Sequence, residues 1–201
     1  MPNLINHSYL KILEAIRIHP GINLRGIITE TKLSPNAATD IVNNLVHSGA
    51  LTEKRLVNKR VYVRQFFINQ LSSLIYSIFT LIESDKKQTF YQRHPSLKPI
   101  TEQIIRTFPT VKSLLIYGSY AKSVETKESD IDILIIGSIP NKERLREILV
   151  TLEAEPSIKI ESLMDFKKRI NDSLHQEMLR YHIILHDSKI FIEETLKASS
   201  L

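Results

Sequence analysis

Residues 118–136, GSYAKSVETKESDIDILII, place two aspartates in a run of apolar residues that would otherwise fill the interior of a sheet. Gly118 and Ser119 open the stretch, and Asp130 and Asp132 follow after ten intervening residues. In an extended strand, side chains two positions apart point to the same face. The two aspartates are therefore expected side by side, with the intervening isoleucines directed into the core.

The two carboxylates need a positive partner, because like charges this close repel each other. Residues 130–136 contain no Lys or Arg, whereas Mg²⁺ accepts hard oxygen ligands and shares them with substrate phosphates. Gly118 would let a phosphate approach the backbone, and the helix expected after Ser119 would offer free N–H groups to an anion. The stretch therefore predicts a phosphate at the glycine and a metal ion at the aspartates.

The segments around this stretch alternate between helices and strands. After a helix over residues 97–108, a strand (111–118), a short helix (120–124), a strand (130–136), a helix (141–155), a strand (157–161) and a helix (162–172) are expected. Alternation of this kind predicts an α/β domain.

Gly118-Ser119, ten residues and then Asp130-Ile131-Asp132, bracketed by two apolar strands, resembles the signature of the DNA-polymerase-β-like nucleotidyltransferase superfamily. The spacing looks most like that of the minimal members, which include antitoxins that transfer AMP to helical toxin partners. The resemblance covers about residues 97–187. It implies an α/β nucleotidyltransferase fold with a mixed sheet and flanking helices, with ATP as the nucleotide and two Mg²⁺ ions as cofactors.

The resemblance also implies roles for individual residues. Gly118, Ser119 and Lys122 would bind the nucleotide phosphates, whereas Asp130 and Asp132 would bind the metal ions and act in catalysis. Family members often have Ala-Arg-Gly where this chain has Ala121-Lys122-Ser123. Lysine keeps the positive charge but lacks the planar fork of arginine.

Active members usually add a third acid from the neighbouring strand. In SIKIE, Lys159 and Glu161 share a face, and Glu161 is the predicted third catalytic and metal-binding acid. If Lys159 occupies that position instead, the domain would bind nucleotide without turnover. A non-catalytic, nucleotide-sensing transcriptional regulator, such as an autorepressing antitoxin, is therefore the alternative to an enzyme.

The first part of the chain is basic. Residues 1–94 carry twelve Lys and Arg against six Asp and Glu, whereas residues 95–201 carry fifteen against sixteen. This excess suits a polyanionic partner, although a solvated basic surface would produce the same count. Helices are expected over residues 8–18, 24–32 and 35–47, followed by strands over 50–56 and 60–68.

Three helices followed by a basic hairpin resemble the winged helix-turn-helix of transcriptional regulators, over about residues 7–69. Duplex DNA is then the expected partner, since short polar side chains on a helix can reach base edges and a basic hairpin can meet phosphates. The alternative is that the same fold serves protein contact or dimerisation. The candidate base contacts are Asn36, Thr39 and Asn43, and the candidate phosphate contacts are Lys54, Arg55, Lys59 and Arg60.

Residues 69–93 predict an amphipathic helix whose apolar stripe begins at Leu71. It would pack on its own domain or pair with a second copy in a homodimer. The expected domains are a winged helix-turn-helix (1–69), a connecting helix (70–94) and a nucleotidyltransferase domain (95–201).

Too few residues follow Asp132 for a large nucleic-acid-holding domain, so a protein hydroxyl or a small molecule is the expected acceptor.

The composition and the hydropathy of the chain bear on its chemistry and its cellular location. The chain contains no cysteine, which excludes disulfides and thiolate chemistry. It contains no apolar run of the ~20 residues that a membrane span needs, and its first residues lack the pattern of a signal peptide. We therefore expect a cytoplasmic protein.

Overall fold

The computed structural model describes residues 7–58, 61–152 and 154–198. Its contacts divide the chain into two compact units, Met1–Thr80 with Ile192–Leu201, and Leu81–Phe191. Among the described residues, no helix is both long and apolar enough to cross a membrane.

The described residues of the first unit up to Ile68 form three helices and a small antiparallel sheet. In chain order these elements are α1 (His7–Ile18), β1 (Ile22–Asn23), α2 (Leu24–Thr31), α3 (Pro35–His47), β2 (Leu51–Asn58) and β3 (Val61–Ile68). The strands are arranged β1-β3-β2. The helices close over a core formed by fully buried apolar side chains, namely Ile12, Leu13, Ile16, Ile27, Leu45 and Phe66.

The predicted starts of α2 and α3 are confirmed by their caps. Asn23 Oδ1 accepts a hydrogen bond from the Gly26 amide at 2.9 Å, and Ser34 Oγ accepts one from the Ala37 amide at 3.3 Å. Each bond satisfies a helix N–H that has no partner within its own helix. Pro35 occupies the first turn of α3, where a missing N–H costs nothing.

The connecting helix α4 (Ser73–Arg93) begins later than predicted. Asn69 forms a turn instead, accepting the Leu71 amide on its side chain and the Ser72 amide on its carbonyl. Leu71 is consequently 96% exposed, so its place at the start of the apolar stripe is wrong. Leu74, the next residue of the predicted stripe, is also exposed, whereas the stripe residues from Ile75 to Ile82 are buried.

The second unit contains a mixed sheet with helices, as predicted, and β7 makes it a sheet of four strands where three were set out from the sequence. Its elements after α4 are α5 (Leu97–Thr107), β4 (Val111–Tyr117), α6 (Gly118–Lys122), β5 (Ile131–Gly137), α7 (Lys142–Leu149), β6 (Pro156–Glu161), α8 (Leu163–Lys168), α9 (Ser173–Arg180) and β7 (Ile183–His186). The helix α10 (Ser188–Ala198) follows. The strand order is β6-β5-β4-β7, with β5 and β6 parallel and the other pairs antiparallel.

Several predicted boundaries in this unit are wrong. α7 ends at Leu149 and not at residue 155. Just after this end, Thr151 Oγ1 donates a hydrogen bond to the Ile148 carbonyl at 3.0 Å. The helix predicted over residues 162–172 is shorter and forms only α8. A separate helix, α9, follows it and was not predicted. β5 begins at Ile131, whose amide bonds the Glu155 carbonyl, so Asp130 lies just before the strand.

Candidate active site

The turn after β4 lies directly against the Asp132 carboxylate. β4 and β5 are antiparallel, and Tyr117 is the register partner of Asp132. Gly118 has φ +68°, a conformation that costs an L side chain about 1–2 kcal/mol. A Cβ atom built there would overlap Oδ2 of Asp132 and lie 3.1 Å from its Cγ. Both the backbone conformation and the close approach therefore require glycine at this position.

The two aspartates differ in exposure. Asp130 is exposed at the entrance to β5, whereas Asp132 is half-buried. Burial raises the pKa of the Asp132 carboxyl, and the negative charges of Asp130 and Glu177 raise it further. A hydrogen bond from Ser157, its register partner on β6, opposes this shift. The ionised form of Asp132 is therefore disfavoured by its surroundings, and an added cation would stabilise it.

Lys122 ends α6 and is already paired. Its Nζ lies 2.5 Å from Glu177 Oε1 on α9 and 5.4 Å from the ring centroid of Tyr181. Ser119, the other predicted phosphate contact on α6, is half-buried, and its carbonyl accepts the Val124 amide at 3.1 Å. Sequence reasoning missed Glu177 because it lies on α9, more than fifty residues from Lys122.

The end of α6 is held by the last residue of α4 and by the residue that follows it. Ser123 adopts the left-handed conformation with φ 58° and ψ 39°. Arg93 donates from Nη1 to Ser123 Oγ at 2.8 Å, and the His94 ring lies 5.2 Å from the Tyr120 ring. These contacts fix the loop that carries Gly118, and nothing in the local sequence pattern indicates them.

Glu161, the predicted third acid, is not brought beside the two aspartates. It is the register partner of Ile136, four residues beyond the Asp132–Ser157 pair. Its buried carboxylate contacts His175 Nε2 at 2.9 Å, Lys159 Nζ at 3.1 Å and Arg169 Nη1 at 3.2 Å.

These contacts account for the ionisation of Glu161. Burial acts to raise the pKa of its carboxyl, but hydrogen bonds from His175 and Lys159 outweigh burial and hold that pKa below its usual value. Lys159, the alternative considered for the third position, lies between Ser157 and Glu161 on the same strand face as Asp132.

The residues at the turn suit a divalent cation shared with a substrate. Asp130 and Asp132 supply hard carboxylate oxygens, and Asp132 is surrounded by like charge. Within the described residues, no group of three or more His, Cys, Asp or Glu gathers into a complete metal-binding set. Mg²⁺ commonly takes only one or two carboxylates from the protein, with substrate phosphates and water completing its shell. The donors therefore fit one such ion, whereas Glu161 adds no ligand here for a second.

The predicted base contacts all lie on α3. Asn36 and Asn43 are exposed, and Thr39 Oγ1 donates to the Pro35 carbonyl at 2.7 Å. Asn43 Oδ1 accepts a hydrogen bond from Arg64 Nη1 at 3.0 Å. Arg64 on β3, which sequence reasoning did not single out, thus joins the hairpin to α3.

The predicted phosphate contacts of the hairpin are placed only in part. Lys54 and Arg55 are exposed on β2, whereas Lys59 and Arg60 lie outside the described residues. Lys54 Nζ lies 4.8 Å from the Phe67 ring centroid, and Arg55 Nε bonds Glu53 at 2.8 Å. Glu53 also contacts Arg64, so one acid neutralises two of the hairpin cations.

Comparison with known proteins agrees with the geometry of the second unit. Residues 100–195 match the family described as Polymerase beta, Nucleotidyltransferase. The chain is also 31% identical, over 80 residues, to a Methanocaldococcus jannaschii protein named "Putative protein adenylyltransferase". That match covers 38% of this chain and 79% of the relative. The chain belongs to the polymerase beta nucleotidyltransferase family, and nucleotidyl transfer is the activity of its class.

Proposed function

We propose that the protein transfers a nucleoside monophosphate, AMP from ATP, to a hydroxyl acceptor at the site formed by Gly118, Asp130 and Asp132. The observation that supports this most is the contact between the Gly118 turn and the Asp132 carboxylate. A phosphate that approaches the glycine backbone would lie next to the aspartate pair that holds its cation. Two residues fourteen positions apart thus serve a single ligand.

The transfer needs positioning rather than a covalent enzyme intermediate. An oxygen of the acceptor forms a bond to the α-phosphorus, the bond from that phosphorus to the β-phosphate oxygen breaks, and pyrophosphate leaves. The acceptor hydroxyl loses its proton to solvent. Gly118, Ser119 and Lys122 would hold the phosphates so that the leaving oxygen faces away from the acceptor.

Asp130 and Asp132 would hold one Mg²⁺. When bound, the ion neutralises charge on the phosphates and aligns the reacting oxygens. The Ser157 hydroxyl orients the Asp132 carboxylate, because the two are register partners and hydrogen-bonded. The half-burial of Asp132 limits competition from water for the same oxygens.

A protein hydroxyl is the acceptor that we favour. The relative from Methanocaldococcus jannaschii carries the name of a protein adenylyltransferase and matches this chain over most of its own length. Serine, threonine and tyrosine hydroxyls of a partner protein can all accept a nucleotide in this way. A helical toxin-like partner is one such protein.

The test uses ATP labelled at the α-phosphate, with Mg²⁺ and candidate acceptor proteins. Wild-type chain is expected to transfer label, and Asp130→Asn or Asp132→Asn should reduce transfer about a hundredfold or more. Asp85→Asn, at an exposed position on α4, removes the same charge elsewhere and should leave transfer unchanged. ATP binding without transfer to any acceptor would favour the nucleotide-sensing regulator instead. Transfer that survives both site variants would contradict the assigned site.

We further propose that the first unit is a winged helix-turn-helix that binds duplex DNA. Three observations support this: the exposed amides of Asn36 and Asn43 on α3, the exposed cations Lys54 and Arg55 on β2, and the Arg64 link between the two elements. A helix with short polar side chains beside a basic hairpin can present base contacts and phosphate contacts together.

The DNA proposal predicts a steep salt dependence of binding. Replacing Lys54, Arg55, Lys59 and Arg60 with alanine should flatten the slope of log affinity against log salt by roughly 3–4, since each phosphate contact contributes about 0.9. The slope is measured by fluorescence anisotropy of a labelled duplex. An unchanged slope would exclude the hairpin from the phosphate backbone. The matched control replaces four exposed lysines of the second unit, Lys98, Lys112, Lys142 and Lys189.

A further inference from the structure

The cation at the end of the helix that begins at Gly118 is held by an acid. Lys122 Nζ contacts Glu177 Oε1 at 2.5 Å and lies over the ring of Tyr181. Both partners come from α9 or the residue that follows it. Lys122 itself ends the short helix that begins at Gly118, so its position relative to the Asp132 carboxylate is set by that turn.

The acid is held in place from the opposite side of its helix. His175, two residues before Glu177, is 1% exposed and bonds the buried Glu161 carboxylate at 2.9 Å. The His175 ring also lies 5.5 Å from the Phe166 ring. Residues two apart on a helix point in different directions, so α9 is anchored by His175 while Glu177 is presented to Lys122.

We propose that Glu177 competes with the nucleotide for Lys122. The inference rests on the proposed function, because it assigns a role to a second residue at the same site. A phosphate that approaches Lys122 Nζ has to displace the Glu177 carboxylate, because the ammonium group is already paired with it. Glu177 therefore weakens nucleotide binding, and it holds Lys122 next to the turn until a phosphate replaces it.

The test is the dissociation constant for ATP, measured by calorimetry with Mg²⁺ and again in EDTA. Glu177→Gln should tighten binding roughly two- to fivefold, the range expected when an exposed ion pair no longer competes. The matched control is Glu147→Gln, which removes a carboxylate paired with Arg144 on α7 and should leave the constant unchanged. Glu177→Asp, which keeps the charge with a shorter reach, should give an intermediate constant and serves if Glu177→Gln does not fold.

A double-variant cycle identifies the cause. Competition for Lys122 requires that Glu177→Gln have little effect in a Lys122→Ala background. A tightening of the same size in that background would overturn the proposal in favour of general repulsion. Weaker or unchanged binding by Glu177→Gln would overturn it as well, while leaving the nucleotide site in place. If neither wild type nor Glu177→Gln binds ATP under either condition, the proposed function fails and the inference fails with it.

Discussion

One sheet of this protein carries two acidic sites that are built in opposite ways. At the start of β5, Asp132 lies half-buried against the Gly118 turn, and the nearby charges of Asp130 and Glu177 are negative. At the end of β6, Glu161 is buried and surrounded by three basic side chains. The pKa of the first carboxyl is raised and that of the second is lowered.

The difference is the one expected between the proposed binding site and a structural site. A buried carboxylate that already has its counter-ions has no capacity left for a ligand, and it contributes by joining the elements that supply those counter-ions. A partly buried carboxylate among like charges is unfavourable until a cation arrives. The proposed Mg²⁺ would therefore stabilise the aspartates, whereas Glu161 joins β6 to α9 and to Arg169 at the end of α8.

The largest expected effect lies at the compensated site. Glu161→Gln should destabilise the protein by roughly 2–4 kcal/mol, or about 4–16 °C in Tm, because His175 stays buried without its charged partner. Because the folded pKa of Glu161 is lowered, its contribution is present above the unfolded carboxyl pKa and is lost as pH falls through the folded value. Thermal unfolding followed by circular dichroism at pH 7 and below measures both.

Glu147→Gln provides the control for that experiment, because Glu147 and its ion-pair partner Arg144 are both exposed. We expect a change below about 1 kcal/mol there. An equally small change for Glu161→Gln would mean that its three contacts do not hold the fold, and the contrast between the two acidic sites would disappear.

The second effect concerns the glycine that faces the aspartates. Gly118→Ala should reduce nucleotidyl transfer about a hundredfold, because a Cβ atom there must displace the Asp132 carboxylate. Gly49→Ala is the matched control, since Gly49 also has positive φ but a Cβ there meets nothing within 4 Å. That variant should lose only about 1–2 kcal/mol of stability and keep its transfer activity. Equal activity of the two variants would show that the approach of Gly118 to Asp132 is not needed.

The third effect concerns strain in the same loop. Ser123 adopts a left-handed conformation that favours glycine, and Arg93 holds its hydroxyl. Ser123→Gly and Ser123→Ala both lose that hydrogen bond, but only glycine relieves the backbone. The glycine variant should therefore be more stable than the alanine variant by roughly 1 kcal/mol, as measured by urea unfolding. Equal stability would indicate that the loop carries no strain at this residue.

The smallest expected effect is a gain in stability at the open site. Because the folded pKa of Asp132 is raised, the unfolded state ionises first as pH rises, and the ionised carboxylate then opposes folding. Asp132→Asn should thus raise Tm slightly at pH 7, although it should reduce transfer about a hundredfold or more. The gain should fade below the ordinary carboxyl pKa, where the wild-type side chain is protonated. A lower Tm at pH 7 would show that Asp132 is a structural group, like Glu161.

Much of the architecture was predictable because it depends on neighbours in the chain. The caps at Asn23 and Ser34, the strand at β5 and the mixed sheet follow from side-chain chemistry and periodicity within a few residues. Helix ends were less predictable: α7 stops early, and the segment after α8 turns into a second helix. Helix ends are hard to predict because small differences between local contacts decide whether the last residues stay helical.

The candidate site divides in the same way. The Gly118-Ser119 pair, the ten-residue interval and the two aspartates are visible as a linear pattern, because a short loop between paired strands must bring its ends together. The position of Glu161 is not visible, since alternation gives only the face of a strand and leaves its register with β5 undetermined. The pairing of Lys122 with Glu177 is equally invisible, because it depends on where α9 packs.

Local chemistry along the chain was thus sufficient to indicate the class of the second unit and to predict the pair of acids at its candidate site. The folded arrangement decided that Glu161 is neutralised, that Ser157 lies opposite Asp132 and that Glu177 meets Lys122. The physical reason is that strand register and helix packing are set by the burial of side chains distant in the chain. Whether a given charge is compensated depends on those distant contacts.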